Sequence, residues 1–377
     1  MRTYKFSDMI WRSFFVLMAC AMAAAVLAPA TPNANAQETS QAIHDPVMAK
    51  EGDRYYVFGT GRGVIVASSA DRVTWDREPA VLEGTPEWVL KILPDFGNRG
   101  SFWAPDIYHH NGTYYLYYSV SSFGRNNSGI GVATNTTLNS KSPEFKWVDR
   151  GMVVNSVAGR DMWNAIDPHV MHDEAGIPWM SFGSHWGGLK LVRLDASLIK
   201  LPASPADWEW HTIAARHRYH KLDDRDAGDS ANPELNYEAL YPAEILALNQ
   251  ASENGAIEAP FIFRKNGYYY QFVSWDRCCR GANSTYKVVV GRSRDIRGPY
   301  VDREDERMDW GGGTLVVTNF AESPRWAAGG HNSVYTWDDK DYLVFHAYEH
   351  EGRGASRLVI KEIKWDAQGW PTVTLDE

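Results

Sequence analysis

A five-bladed β-propeller is the all-β fold class that this sequence predicts, on three observations. An aromatic-rich strand pattern recurs five times along the chain. Each recurrence follows, by about ten residues, an apolar segment headed by an acidic or histidine-bearing motif. Few segments carry long helical periodicity. Repeats of this length, with several short strands each, are blades around a central channel. A β-sandwich would use similar turns, but five recurrences of one strand pair favour the ring.

In chain order the aromatic strands read 52–58, 111–119, 176–182, 266–274 and 340–346. Each opens on a turn signal containing Gly, Asn or Asp and continues in β-favouring residues. The preceding segments begin at His44-Asp45-Pro46, Trp103-Ala104-Pro105-Asp106, Ile166-Asp167-Pro168, Ile257-Glu258-Ala259-Pro260 and Gly330-His331. Each pair reads as the two inner strands of a sheet joined by a hairpin. Further short strands, such as 129–133 and 286–291, complete the units. Counted from Asp45, Asp106, Asp167, Glu258 and His331, successive units start 61, 61, 91 and 73 residues apart. Equivalent positions at the starts of innermost strands converge on one mouth of the channel. The long third interval holds the one irregular region, about 200–255, with a charged stretch at 216–225 and helix-like apolar spacing at 237–250. It reads as a partly helical insertion at the rim, either shaping the cleft or a subunit contact, or an inert excursion.

The first 36 residues stand apart from this pattern. Arg2, Lys5 and Arg12 precede an apolar run from Phe14 to about Ala28, and Ala34-Asn35-Ala36 forms a small-residue site before Gln37. This is the layout of a secretory signal peptide, too short and wrongly flanked for a permanent span. Leu17-Met18-Ala19-Cys20 faintly resembles a lipoprotein site, but the apolar run continues past Cys20. A secreted or periplasmic product of 341 residues (37–377) follows. The leader holds three basic residues against Asp8, so its removal takes the net charge from −9 to −11. An acidic chain suits neither nucleic acid nor an anionic membrane surface, and favours a neutral ligand. Its oligomeric state is open.

The chain has 16 Trp, 19 Tyr and 14 Phe. Most must fill a β-rich core and only a few can line a sugar site. Beyond the leader only Cys278 and Cys279 remain, which cannot build a disulfide framework. These neighbours either close a vicinal bridge or stay as thiols.

An isolated Asp-Pro or Glu-Ala-Pro means little; repetition and convergence carry the signal. Two carboxyl groups across a cleft hydrolyse a glycosidic bond when one donates a proton to the leaving oxygen and the other activates water or attacks the sugar. A third carboxylate nearby raises the pKa of the acid.

The motifs above, with Ser101-Phe102 ahead of Trp103 and Asn164-Ala165 ahead of Ile166, resemble glycoside hydrolase family 43, within it most of all the α-1,5-L-arabinanases. Further matches are 119–124, 183–188, 274–281, Gly291-Arg292-Ser293, Gly298-Pro299-Tyr300 and 311–314, so the likeness runs from about His44 to Pro371. The resemblance implies a five-bladed propeller and an inverting, endo-acting hydrolase of arabinan or arabino-oligosaccharides. By matching motif, Asp45 would be the general base, Glu258 the general acid and Asp167 the residue that tunes and orients that acid. Trp103 and Phe123 match positions lining sugar subsites, and Asn164 and Ser184 match polar positions beside the pocket. His331 resembles the residue facing a metal ion, usually calcium, which would be held largely through waters. Asp106 occupies the equivalent ring position, either as part of the site or only holding a loop.

Three features depart from the arabinanase pattern: the long segment before Glu258, Ser323-Pro324-Arg325-Trp326, and His185 in place of an aromatic. They leave open internal against terminal cleavage, and polymer against oligosaccharide. The alternatives are α-L-arabinofuranosidase or β-xylosidase activity on the same scaffold, and a non-catalytic sugar-binding propeller.

Overall fold

The computed structural model describes residues 37–97, 100–216 and 256–375. The leader and positions 217–255 of the expected insertion lie outside the described residues.

Twenty of the strands fall in chain order into five four-stranded antiparallel sheets, and Lys364–Trp365 pairs with Pro371–Thr372 in a separate two-stranded one. Strand β1 (Gln37–Ala42) precedes blade one, which is β2 (Val47–Glu51), β3 (Arg54–Gly59), β4 (Ile65–Ser69) and β5 (Asp76–Glu78). Blade two is β6 (Trp103–His110), β7 (Thr113–Val120), β8 (Ser128–Asn135) and β9 (Val148–Ser156). Blade three is β10 (His169–His172), β11 (Pro178–Phe182), β12 (Leu189–Arg193) and β13 (Trp210–Ala214). Blade four is β14 (Ile257–Lys265), β15 (Tyr268–Trp275), β16 (Lys287–Ser293) and β17 (Thr314–Leu315). Blade five is β18 (Trp326–Trp337), β19 (Lys340–Glu349) and β20 (Ser356–Glu362), with β1 as its fourth strand, antiparallel to β20. The five-bladed propeller expected from the repeats is thus what the chain forms, closed by its own N-terminal strand.

The aromatic runs have a simple cause. Both faces of each sheet are buried, so successive residues of β3 serve different seams: Tyr56 and Phe58 pack toward blade two, Tyr55 and Val57 toward blade five. On β15, Tyr270 and Phe272 face blade five while Tyr269 and Val273 face blade three. Such strands read as near-continuous apolar stretches instead of alternating ones. The hairpins at Asn111-Gly112 and Asn266-Gly267 have positive φ at both residues, the conformation a tight two-residue turn between twisted strands demands.

One backbone device repeats in every blade. Asp45, Ala104, Asp167, Ala259 and His331 all have φ between 40° and 57°, unusual for residues with a Cβ. Regular inner-strand pairing holds two residues beyond each kink, at Val47, Asp106, His169, Phe261 and Ser333. Each kinked N–H donates to a side chain: Asp45 to His346 Nδ1 (3.1 Å), Ala104 to Thr60 Oγ1 (2.8 Å), Asp167 to Ser119 Oγ (3.0 Å), Ala259 to Asp167 Oδ2 (3.2 Å) and His331 to Ser274 Oγ (2.8 Å). Every acceptor belongs to the preceding blade around the ring. Buried amides taken out of the ladder must find partners, and this girdle supplies them.

The kinks correct the sequence alignment at two points. Asp106 is not equivalent to Asp45 and Asp167; it lies two residues past the kink at Ala104. Its carboxylate accepts the Val170 N–H at 2.8 Å and faces His169 Nδ1 at 3.5 Å, bracing blade two against blade three. Glu258 lies one residue before its kink. Matching carboxylate to carboxylate therefore shifted the register by up to two residues.

Candidate active site

At the kinked mouth lies a cleft of about 530 Å³. Asp45, Asp167 and Glu258 line it together with Trp103, Phe123, Asn164, Ser184 and His331, so all eight residues singled out in the sequence meet there. Phe123 is 83 % exposed, an unusual state for a phenylalanine and one suited to covering an apolar sugar face. Trp103 is half-buried at the start of β6.

Asp45 is held from several sides. His44 Nδ1 lies 2.8 Å and His331 Nδ1 3.1 Å from Oδ1, and the Thr60 hydroxyl donates to Oδ2. Three of the four lone-pair positions of the carboxylate are thus occupied, leaving one on Oδ2. Burial acts to raise its pKa, but His331 and His44 outweigh it and hold Asp45 far below the usual carboxylate range. His331 follows Gly330, where any Cβ would come within 2.5 Å of the Tyr286 ring; only glycine allows this approach.

Asp167 and Glu258 form a contrasting pair. Burial first, and then the negative charges of Glu258 and Asp45, push the Asp167 carboxyl well above the carboxylate range. Glu258 accepts hydrogen bonds on both oxygens, from Tyr286 at 2.7 Å and Ser184 at 2.8 Å. Ser184 is also bridged to Glu258 through the backbone, tying blade three to blade four. Asn164 Oδ1 accepts from Ser128 Oγ at 2.6 Å, fixing the orientation of its amide. One carboxylate kept ionised opposite a buried carboxyl that retains its proton is an acid–base arrangement.

The sequence matches the family described as glycosyl hydrolases family 43 over residues 39–371. The chain belongs to glycosyl hydrolase family 43. It is 47 % identical over 331 residues to an extracellular exo-α-(1→5)-L-arabinofuranosidase of Cellvibrio japonicus, covering 88 % of this chain and 86 % of that one. To an extracellular endo-α-(1→5)-L-arabinanase of Bacillus subtilis it is 35 % identical over 369 residues, with 96 % and 98 % covered. Among solved structures, the Cellvibrio cellulosa α-L-arabinanase complexed with arabinohexaose superposes with a TM-score of 0.74 at 46 % identity, covering 88 % of this chain and 95 % of that one.

Sequence reasoning missed His44 and Thr60, which line this family 43 cleft, and Tyr286, His346 and Tyr348, which lie buried behind it. Thr60 left a trace: hydroxyl residues stand at or just past the ends of the second strands, as Ser119 and Ser274 also do. Tyr286 and Tyr348 had no such mark among many aromatics. Cys278 and Cys279, open between bridge and thiols in the sequence, are joined as a vicinal disulfide and also line the cleft. A larger hollow of about 990 Å³ lies elsewhere, between Glu51, Arg54 and Ser140. Several of its polar groups are already engaged, Arg54 with Asp76, Ser140 with Glu78, and Glu51 with three donors at 137–139.

The expected calcium can be tested against these donors. With Nδ1–H directed at Asp45, His331 keeps Nε2 as an acceptor. Among the described residues, one three-membered group has metal-capable atoms within 4.8 Å of one another: His44, Asp45 and His346. That set is rich in nitrogen, whereas calcium prefers oxygen. His331 is not a member of that group, and no cage of protein oxygens is found among the described residues.

Proposed function

We propose that the protein is an inverting glycosidase that hydrolyses α-1,5-L-arabinofuranosyl linkages in arabinan or arabino-oligosaccharides, cutting within chains. The observation that carries this reading is the convergence of Asp45, Asp167 and Glu258 on one cleft beside Trp103 and Phe123. The names of the Cellvibrio and Bacillus relatives supply the linkage.

In this reading Asp45 uses its remaining Oδ2 lone pair to take a proton from water. The water oxygen attacks the anomeric carbon from the face opposite the leaving group. Glu258 delivers a proton to the departing glycosidic oxygen, producing an inverted hemiacetal and a new hydroxyl. The two carboxyl groups would stand roughly 6.5–9.5 Å apart to admit the water. Asp167 holds a proton in reserve beside Glu258, and the hydroxyls of Tyr286 and Ser184 orient the acid. Trp103 and Phe123 stack on furanose rings; Asn164 and Ser184 add polar contacts.

Internal cleavage is supported by a second hollow, of about 590 Å³, that continues past Trp103 along Leu93, Phe96 and Arg125. It offers room for sugars beyond the reacting pair. Release from chain ends is a second reading, favoured by the name of the Cellvibrio relative. A time course on linear arabinan separates them: rapid viscosity loss with mixed oligomers is expected, and one short product from the first minutes would establish end-directed action instead.

Residues 1–36 would direct export, in keeping with the extracellular relatives; among the described residues no helix is long and apolar enough to cross a membrane. Calcium bound through His331 would add positive charge that favours the ionised form of Asp45. Metal-free protein, prepared with a chelator, is expected to melt at a lower temperature and to recover on addition of calcium. Unchanged melting and activity would remove the ion from the proposal.

A further inference from the structure

We propose that Tyr348 is a positioning residue for Asp45, and that the Cys278–Cys279 bridge holds Tyr348 to that task. The inference rests on the reading of Asp45 as the base, and adds to it a path from the disulfide to the carboxylate.

The path follows from donor and acceptor accounting. The Asp45 N–H donates to His346 Nδ1, so that nitrogen is an acceptor and the neutral His346 ring carries its proton on Nε2. His346 Nε2–H then donates to the Tyr348 oxygen, 3.0 Å away. The Cys279 N–H donates to the same oxygen at 2.9 Å. With these donors on the phenol oxygen, its own proton goes to His44 Nε2, at 2.9 Å, once His44 is neutral. That bond fixes the tautomer in which His44 Nδ1–H donates to Asp45 Oδ1. His346 stacks on His44, with ring centroids 4.0 Å apart and planes 27° apart, so neither ring can turn alone.

The disulfide sets the starting point of this path. Cys278 packs against the buried Tyr286 and Tyr348, while Cys279 lies exposed in the cleft with its sulfur 3.9 Å from His44 Nε2. Cys279 has φ of 67°, a conformation the covalent link between neighbours helps to hold. Its N–H points at Tyr348 because of that local path. Opening the bridge frees the peptide to relax and withdraws the donor, and the orientation of His44 is then held by fewer bonds.

The test uses the full protein and linear arabino-oligosaccharides, comparing wild type with Tyr348→Phe, each with the bridge intact and reduced by a phosphine. Tyr348→Phe is expected to lose about tenfold in kcat, the order seen when a group orienting a working side chain is removed, with KM nearly unchanged. Reduction of wild type gives a loss of similar size. Reduction of Tyr348→Phe gives little more, since both changes break one path. Full kcat in Tyr348→Phe, or losses that simply multiply, would overturn the proposal. If Tyr348→Phe does not fold, Cys278→Ser/Cys279→Ser takes its place: reduced kcat that no longer responds to phosphine is expected, and full kcat sinks the idea. Nitrogen-15 spectra of the histidine rings at pH 8 give an answer that needs no turnover. The Nδ1–H tautomer is expected for His44, and an Nε2–H tautomer in wild type overturns the path. Should wild type hydrolyse no arabinan, the functional reading falls by itself and the tautomer still decides this one.

Discussion

Asp45→Asn and Glu258→Gln are each expected to lose roughly 10²–10⁴-fold in kcat, the usual contribution of a positioned acid or base. Neither change should unfold the protein. In Asp45→Asn the amide oxygen still accepts from His44 and His331, and the amide nitrogen can donate to Thr60, whose hydroxyl rotates. In Glu258→Gln the side chain keeps its place between Tyr286 and Ser184. The two variants differ in their response to the leaving group. A nitrophenyl arabinoside needs little protonation to depart, so Glu258→Gln should regain much of its rate on it. Asp45→Asn should not, because water still lacks its base. Rates on arabino-oligosaccharide and on the aryl substrate, measured side by side, check both. Recovery by Asp45→Asn alone would exchange the roles, and near-wild-type turnover in either variant would end the assignment.

The second large effect concerns pH. Asp45 is held below the carboxylate range, so the acid-side fall of kcat/KM belongs at low pH, where that carboxylate is protonated. Asp167 is raised by burial and by its negative neighbours, so it retains a proton above the usual carboxylate range. The rate is therefore expected to survive well above that range and to fall only as that proton is lost. Asp167→Asn removes the carboxyl that holds the reserve proton. Its alkaline limb should move to lower pH, with a loss at neutral pH on the order of ten- to a hundredfold, a tenfold loss for each unit of displacement. The Asn oxygen can still accept the Ala259 N–H, so the backbone stays in place. A pH profile of kcat/KM for wild type and variant decides the matter. An alkaline limb that does not move would show that Asp167 acts only as a brace.

The blade count was legible because both faces of every sheet are buried, which writes long aromatic and β-branched runs that recur five times. Asp45 and Asp167 were legible because each stands at a kink and precedes a proline that cannot pair. Asp106 misled for the same reason: the chain carries Ala104 at that kink, and the carboxylate two positions later looked like its counterpart. The groups around the base were hidden. Thr60, His346 and Tyr348 come from the second strands of two different blades or just beyond, and nothing in a linear reading brings residue 60 beside residue 45 and residue 348. Their roles arise from hydrogen-bond directions, which belong to the folded ring.

The girdle of kinked amides has a consequence for how such a mouth can change. Its donors are peptide groups, supplied by any residue but proline, while its acceptors are side chains open to substitution. A different residue at Ser119 or Ser274 would re-aim a single corner, the one bearing Asp167 or His331, and leave the other blades in register. Selection, or a protein engineer, could in this way retune the spacing of the reacting groups one sector at a time on an unaltered frame.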